Sequence, residues 1–181
     1  AAAKAWGLDM SPARLAAIGA RIGSDVPVFF AGGAALAGGR GERIEPVPGI
    51  PPLHAVIARP LAGLSTAAVY GRCVPEPGHR GAARRLAEAL VAGHFQAAAA
   101  LMHNSLEQPA RESCADVDRL LRDFSRAGAV HPLLTGSGSA CFAMLRTALE
   151  ARRVAGRLEM AGWPGVFVVR LATAGDGRLM G

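Results

Sequence analysis

The sequence lacks several features that define whole classes of proteins. It has three cysteines in 181 residues, and none forms a Cys-x-x-Cys pair of the kind that holds zinc or a redox disulfide. The five histidines are scattered, without a metal-binding spacing such as His-x-x-x-His. We therefore expect a reducing compartment, the cytoplasm, and no transition metal held by the protein.

Long apolar runs are also missing. The longest, Val26 to Ala37 and Ala97 to Met102, are broken well short of the roughly 20 residues that cross a bilayer. The first residues have neither the charged start nor the apolar core of a signal peptide. We predict no membrane segment and no membrane partner. Because the chain starts without methionine, inside an alanine-rich helical pattern, we also expect it to be a fragment whose upstream part is absent.

Aromatic residues make up only 5% of the chain, so few side chains could stack on nucleic-acid bases. The net charge of +6 comes from arginines that are dispersed rather than clustered. It has two interpretations, an arginine-rich genome or nucleic-acid binding, and we expect the first, with no nucleic-acid partner. A positive field would also attract nucleotides and phosphorylated substrates. The sequence is compatible with a monomer or a homodimer.

The apolar pattern predicts an α+β protein, with a hydrophobic content of 51% that supports a buried core. Prolines between Pro46 and Pro52 mark the predicted domain boundary, which we place after Pro48. We expect domains at 1–48 and 49–172, and a disordered tail at 173–181. Helices are predicted at 1–6, 11–23, 65–70, 82–92, 94–102, 111–127 and 148–161, and extended segments at 34–37, 43–47, 54–59, 133–134, 140–145 and 166–171. We expect Ser11 and Ser65 to cap their helices, the segments 34–37 and 43–47 to form a β-hairpin, and residues 72–81 to form a loop.

Two segments could carry chemistry. In Thr135-Gly136-Ser137-Gly138-Ser139, the glycines allow backbone N–H groups to turn inward and form an anion-binding nest; an ordinary glycine-rich turn is the alternative. The segment is not a Walker A loop, because no lysine follows it. Asp25 lies between a helix end and the apolar run 26–30, so its carboxylate could orient a hydroxyl or accept its proton from a partly dry position. The alternative is a capping aspartate.

Other polar segments have a structural interpretation from their residues alone. Asn104-Ser105-Leu106-Glu107 has the spacing of a helix capping box. Tyr70, the only tyrosine, could stack on a flat ring or fill the seam between domains.

Taken together and in order, four segments resemble the 4-diphosphocytidyl-2-C-methyl-D-erythritol kinases, a family within the GHMP kinase superfamily. They are Gly-Ser-Asp-Val-Pro-Val-Phe-Phe at 23–30, Gly-Arg-Gly-Glu-Arg at 39–43, Leu-Ser-Thr-Ala-Ala-Val-Tyr at 64–70, and Leu-Thr-Gly-Ser-Gly-Ser-Ala-Cys-Phe-Ala at 134–143. The first and third are typical of this family, whereas the glycine loop is shared across the superfamily.

The resemblance implies a two-domain α+β kinase that uses ATP and Mg²⁺. It would phosphorylate the 2-hydroxyl of 4-diphosphocytidyl-2-C-methyl-D-erythritol in non-mevalonate isoprenoid synthesis. Asp25 then matches the catalytic aspartate, Tyr70 the aromatic residue that stacks on cytosine, and Thr66 a neighbour of the substrate. Residues 1–48 would end the ATP-binding domain. Thr135, Gly136, Ser137, Gly138 and Ser139 match the loop that supports the nucleotide phosphates.

The chain also departs from the family pattern. The family's catalytic lysine and its main phosphate loop, Gly-Leu-Gly-Gly-Gly-Ser-Ser-Asp-Ala, precede the helix with which this chain begins, and Lys4 lies inside that helix. We therefore expect the isolated chain to be poorly active. Ser105 stands where the family often has an acidic residue. Two alternatives stay open: another GHMP kinase, acting on homoserine, mevalonate or a sugar, and a non-catalytic basic RNA-binding module.

Overall fold

Short helices and one hairpin form the N-terminal part of the computed structural model, which describes residues 5–23, 25–74 and 81–172. Helix α1 (Pro12–Ala20) begins after Ser11, whose hydroxyl accepts the Arg14 N–H at 3.3 Å. A 3-10 helix (Val26–Phe30) follows, and β1 (Ala35–Gly38) pairs antiparallel with β2 (Arg43–Pro46). The predicted N-cap and hairpin are confirmed.

Helix α1 is shorter than predicted. It ends at Ala20, so Ile22 lies beyond the helix and is 80% exposed instead of continuing its apolar face. Contact with the 3-10 helix is made through Gly19, where a Cβ atom would lie 2.6 Å from a methyl carbon of Val26. A side chain at this position would force the two helices apart, so the close contact depends on glycine.

The rest of the described chain is built on a four-stranded antiparallel sheet in the order β4-β5-β3-β6. Its strands are β3 (His54–Arg59), β4 (Leu133–Leu134), β5 (Cys141–Leu145) and β6 (Gly165–Arg170). In the central strand, Ala55 is paired with Met144 of β5 and Val169 of β6. The combination of helices with an antiparallel sheet confirms the α+β class.

Within the described residues, six helices accompany this sheet: α2 (Thr66–Gly71), α3 (Ala82–Val91), α4 (Phe95–Ala100), α5 (Glu107–Ser113), α6 (Ala115–Arg126) and α7 (Ala148–Met160). The apolar residues of α6 and α7 recur at helical spacing, and this places them on one buried face of each helix. They are Val117, Leu120, Leu121, Phe124, Ala151, Val154, Ala155 and Leu158. These side chains form one core with Val56, Ala58 and Cys141 of the sheet.

The helix predicted at 111–127 is wrong as a single element. The structure has two helices, α5 and α6, and Cys114 between them has extended backbone angles of φ −149° and ψ 105°. Its N–H closes the first helix on the Ala110 carbonyl, and its own carbonyl accepts the Val117 N–H at the start of the second. The apolar period continues across the break, which is why the sequence concealed it.

The described residues fall into two compact units. One contains the residues up to Pro51 together with Val91–Gly93, and the other contains Pro52–Leu90 and His94–Leu171. The predicted tail at 173–181, most of the helix predicted at 1–6, and residues 75–80 of a predicted loop lie outside the described residues.

Candidate functional site

The glycine loop joins β4 to β5. The Thr135 N–H donates to the Ala140 carbonyl at 3.0 Å, and the Gly138 N–H donates to the Thr135 carbonyl at 3.1 Å. These bonds close residues 135–140 into a tight turn. Gly136 and Gly138 have φ angles of +58° and +86°, in the left-handed region that a side chain disfavours.

Gly138 is also in close contact with its neighbours. A Cβ atom at this position would lie 2.9 Å from a methyl carbon of Leu134 and 3.0 Å from one of Leu64. Ser139, the next residue, is buried. The loop is therefore packed against the segment that leads into α2, and glycine at 138 allows this approach.

A side-chain hydrogen bond connects α2 to the same loop. The hydroxyls of Thr66 and Ser137 lie 3.0 Å apart, although 71 residues separate them in the sequence. Thr66 is placed at the first position of α2 because the helix is capped by Ser65, whose hydroxyl accepts the Ala68 N–H at 3.4 Å. The structure thus brings together two of the predicted site segments, residues 64–70 and 135–139.

Tyr70 lies one helical turn after Thr66, on the same side of α2, and is 60% exposed. Val69, beside it, is fully buried and fixes the helix to the core. An exposed aromatic ring on an anchored helix is available for stacking on a planar group.

Asp25 lies in the other compact unit, immediately before the 3-10 helix. Its side chain is exposed, so its own unit does not provide the partly dry surroundings that the apolar run led us to expect. The reason is that Pro27 of the apolar run 26–30 is buried, whereas Phe29 of the same run is 75% exposed. Among the described residues, the Asp25 side chain makes no capping hydrogen bond to this helix.

The capping box predicted at residues 104–107 is wrong. Helix α5 begins at Glu107 itself, so Glu107 is too early in the helix to reach back to the cap. Asn104 instead accepts the Leu106 N–H at 3.0 Å, as asparagine does in an Asx turn. Its Nδ2 atom donates to the carbonyls of Leu134 and Gly136, at 2.9 and 2.8 Å.

Glu107 contacts the same strand as Asn104. Its Oε2 atom accepts the Leu134 N–H at 3.1 Å. Asn104 and Glu107 therefore hold the entrance of the glycine loop, a role that the sequence reasoning missed. The preference of asparagine for bonding the backbone two residues ahead was the available signal, but it does not point to a strand some 30 residues away.

The cysteine nearest to the loop is not a nucleophile. Burial, reinforced by the negative charge of Glu107, raises the pKa of the Cys141 thiol to about 12. Only the thiolate is reactive, so Cys141 acts as an apolar core residue at neutral pH.

In the part of the chain that the structure describes, no group of three or more His, Cys, Asp or Glu side chains is arranged to hold a metal ion. A cavity of about 290 Å³ opens beside α7, near Phe95, Met144 and Arg157. None of the predicted site residues lines it.

Over the described residues, no helix has the length and apolar character needed to cross a membrane.

The candidate site is thus a glycine loop between two antiparallel strands, joined by a hydrogen bond to a short helix that carries an exposed tyrosine. The family model for the C-terminal region of GHMP kinases matches residues 86–176, just over half of the chain and including this loop. The chain belongs to the GHMP kinase family.

Within that family, a curated relative from Nocardioides sp. is named 4-diphosphocytidyl-2-C-methyl-D-erythritol kinase. It is 38% identical over 174 residues, which are 94% of this chain and 59% of the relative. A crystal structure of 4-(cytidine 5'-diphospho)-2C-methyl-D-erythritol kinase superposes with a TM-score of 0.73 at 28% identity, covering 95% of this chain and 61% of that one.

A homoserine kinase from Cytophaga hutchinsonii superposes with a TM-score of 0.74 but is only 17% identical, over 98% of this chain and 62% of that one. This likeness extends to the fold alone. The chain spans about 60% of the length of these proteins.

Proposed function

We propose that this protein transfers the γ-phosphoryl group of ATP to the 2-hydroxyl of 4-diphosphocytidyl-2-C-methyl-D-erythritol, a step of non-mevalonate isoprenoid synthesis. One observation carries the proposal: the relative with that name is 38% identical across 94% of the chain. The match includes both segments that the structure joins through Thr66 and Ser137. The likeness to homoserine kinase does not favour the alternative substrate, because it is limited to the fold.

In this proposal, the glycine loop supports the phosphates of ATP. Backbone N–H groups in left-handed glycine turns form a concave donor surface for anions, and the hydroxyls of Thr135 and Ser137 add further donors. Mg²⁺ would arrive with ATP and neutralise charge on its phosphates; the hydroxyl oxygens near the loop are hard ligands of the kind this ion accepts.

Residues on α2 bind the second substrate. Tyr70 presents its exposed ring for stacking on the cytosine base, an interaction worth about 1–3 kcal/mol for a base on an aromatic side chain. Thr66 lies one helical turn before Tyr70 on α2, and its hydroxyl lies 3.0 Å from that of Ser137. The substrate segment and the phosphate loop are therefore held in a fixed relation.

Asp25 is the catalytic carboxylate in this scheme. It would orient the 2-hydroxyl for in-line attack on the γ-phosphorus. As the new P–O bond forms and the bond from the γ-phosphorus to the bridging oxygen of the departing ADP breaks, it would accept the hydroxyl proton. The Asp25 side chain is exposed, and its place in the segment 23–30, by which the chain resembles the family, supports this assignment. The proposal places the reaction in the cytoplasm, where ATP is available.

The test is ATP turnover by the complete gene product in the presence of the cytidyl substrate. Wild type should release ADP only when this alcohol is present, and Asp25→Asn should lower kcat by about 10²-fold or more with an unchanged circular dichroism spectrum. Asp9→Asn, the same change at another exposed site of the N-terminal unit, is the matched control and should retain activity. Full activity of Asp25→Asn would remove this residue from the reaction.

A further inference from the structure

The backbone of Leu134 is held on the side that faces away from β5. On one side, β4 pairs with β5, with Leu134 opposite Cys141. On the other, the Leu134 N–H donates to Glu107 Oε2 at 3.1 Å, and the Leu134 carbonyl accepts from Asn104 Nδ2 at 2.9 Å. An edge strand of two residues thus gains hydrogen bonds on both sides, in the way a neighbouring strand would provide them.

The same Asn104 amide reaches one step into the glycine loop. Its Nδ2 atom also donates to the Gly136 carbonyl at 2.8 Å, so both of its hydrogens are used. The orientation of the amide is determined by chemistry, because both partners are carbonyls and can only accept. Its Oδ1 atom is occupied by the Leu106 N–H. At this position, asparagine can bond all three backbone partners. Aspartate would instead direct a carboxylate oxygen at the two carbonyl oxygens, which repel it.

The Glu107 carboxylate is itself held by Arg111, which also binds Asp118. Arg111 lies 3.6 Å from Glu107 Oε1, and the Arg111 Nε–H donates to Asp118 of α6 at 2.9 Å. The Glu107 carboxylate is therefore directed at β4 from a helix that is itself fixed to the core. Charged acceptors form shorter and stronger hydrogen bonds than neutral ones.

We propose that Asn104 and Glu107 are positioning residues for the glycine loop: they fix residues 134–136 so that the loop presents its donors to the nucleotide phosphates. The inference rests on the proposed function, because it assigns the loop to ATP. Phosphoryl transfer depends on positioning, and a displacement of about 1 Å can lower a rate by about 10²-fold. Neither residue touches the reacting atoms in this account.

The first test is Asn104→Asp in the complete gene product. Aspartate keeps the acceptor for Leu106 but loses both donors to the loop. We expect kcat/KM for ATP to fall by about ten- to hundredfold, while KM for the alcohol substrate stays within about twofold of wild type. Gln96→Glu makes the same amide-to-carboxylate change at an exposed site on α4 and should leave all constants unchanged.

The second test uses a pair of substitutions at Glu107 and decides the question even if Asn104→Asp does not fold. Glu107→Gln keeps an oxygen that can accept the Leu134 N–H and should stay within about threefold of wild type. Glu107→Ala loses this acceptor and should lose kcat/KM for ATP as Asn104→Asp does. The proposal is overturned if Glu107→Ala has wild-type constants, or if Glu107→Gln is as impaired as Glu107→Ala.

Amide hydrogen exchange separates this inference from the proposed function. The Thr135 and Gly138 amides are hydrogen-bonded inside the loop, and Glu107→Ala should make them exchange at least about tenfold faster than in wild type. A wild-type protein without kinase activity would refute the proposed function. Faster exchange in Glu107→Ala would still support the positioning role of Asn104 and Glu107. Unchanged exchange at both amides would contradict it.

Discussion

A single carboxylate, Asp118, links helices α5 and α6 through Arg111. Hydrogen bonding from Arg111 holds the pKa of the Asp118 carboxyl below its usual value, and the positive charges of Arg111 and Arg122 act in the same direction. Because the folded-state pKa is lowered, the stabilisation is fully present above the unfolded-state value of about 3.9. It is lost as the pH falls through the folded-state pKa.

The lowered pKa of Asp118 predicts how Asp118→Asn changes the stability of the fold at different pH values. The variant should be less stable than wild type at pH 7, and the difference should shrink as the pH falls below about 4. Urea unfolding midpoints of both proteins, determined at several pH values, measure this difference in stability. Asp116→Asn serves as the control, because Asp116 is nearly half exposed and reaches Arg119 only at 3.7 Å, and such surface pairs contribute little. A difference for Asp118→Asn that stays constant from pH 7 to pH 2 would contradict the assignment.

The exposed ring of Tyr70 makes a second prediction at the scale of one residue. If the ring stacks on cytosine, Tyr70→Ala should raise KM for the cytidyl substrate by about tenfold or more, since stacking on an aromatic ring is worth about 1–3 kcal/mol. Tyr70→Phe keeps the ring and should change KM by less than about threefold. KM for ATP should be the same in both variants. Equal KM values for the alcohol in Tyr70→Ala and wild type would exclude stacking.

Helix α7 begins with a complete capping box. The Thr147 hydroxyl accepts the Glu150 N–H at 3.1 Å, and the Glu150 carboxylate accepts the Thr147 N–H at 3.2 Å. Each bond satisfies a helix-terminal donor that would otherwise have no partner in the helix. Because α7 carries part of the core, the cap stabilises the element on which the sheet packs.

Thr147→Ala should therefore weaken the start of α7 by about 1 kcal/mol. Amide exchange at residues 150–152 should become about fivefold faster, and Thr147→Ser, which keeps the hydroxyl, should restore protection. Exchange that is equally fast in the alanine and serine variants would show that the hydroxyl does not cap this helix.

Elements with local signals were predictable from the sequence. Ser11 and Ser65 cap their helices as expected, because a capping bond spans only three residues. The break at Cys114 was not predictable, since the apolar spacing of α6 continues the pattern before it. The error at Asn104 and Glu107 has the same origin: their partners are 27 to 32 residues distant, and tertiary contact overrode a local capping pattern.

The candidate site was predictable in its segments but not in its geometry. The glycine loop and residues 64–70 could be identified by their residues, whereas the bond between Thr66 and Ser137 joins positions 71 apart. The contact of Leu64 with Gly138 is equally distant in sequence. Only the pairing of β4 with β5, and the packing of α2 on the same core, bring these residues into one place.

At the scale of the molecule, the candidate residues are distributed over both compact units. Asp25 belongs to the first unit, and Thr66, Tyr70 and the glycine loop belong to the second. The chain spans 59% of its Nocardioides relative, so activity is tested on the complete gene product. The positive charge of the chain is compatible with anionic substrates. Salt-dependent RNA binding without nucleotide binding would instead favour the RNA-binding alternative.

The most direct test of the central claim is a substrate panel. The complete gene product is given ATP and, separately, 4-diphosphocytidyl-2-C-methyl-D-erythritol, homoserine and mevalonate, and kcat/KM is measured for each alcohol. The account predicts a kcat of about 1 s⁻¹ or more for the cytidyl substrate. It also predicts kcat/KM values at least about tenfold lower for the other two alcohols, because they have no base to stack on Tyr70, an interaction worth about 1–3 kcal/mol. Comparable or higher kcat/KM for homoserine or mevalonate would contradict it.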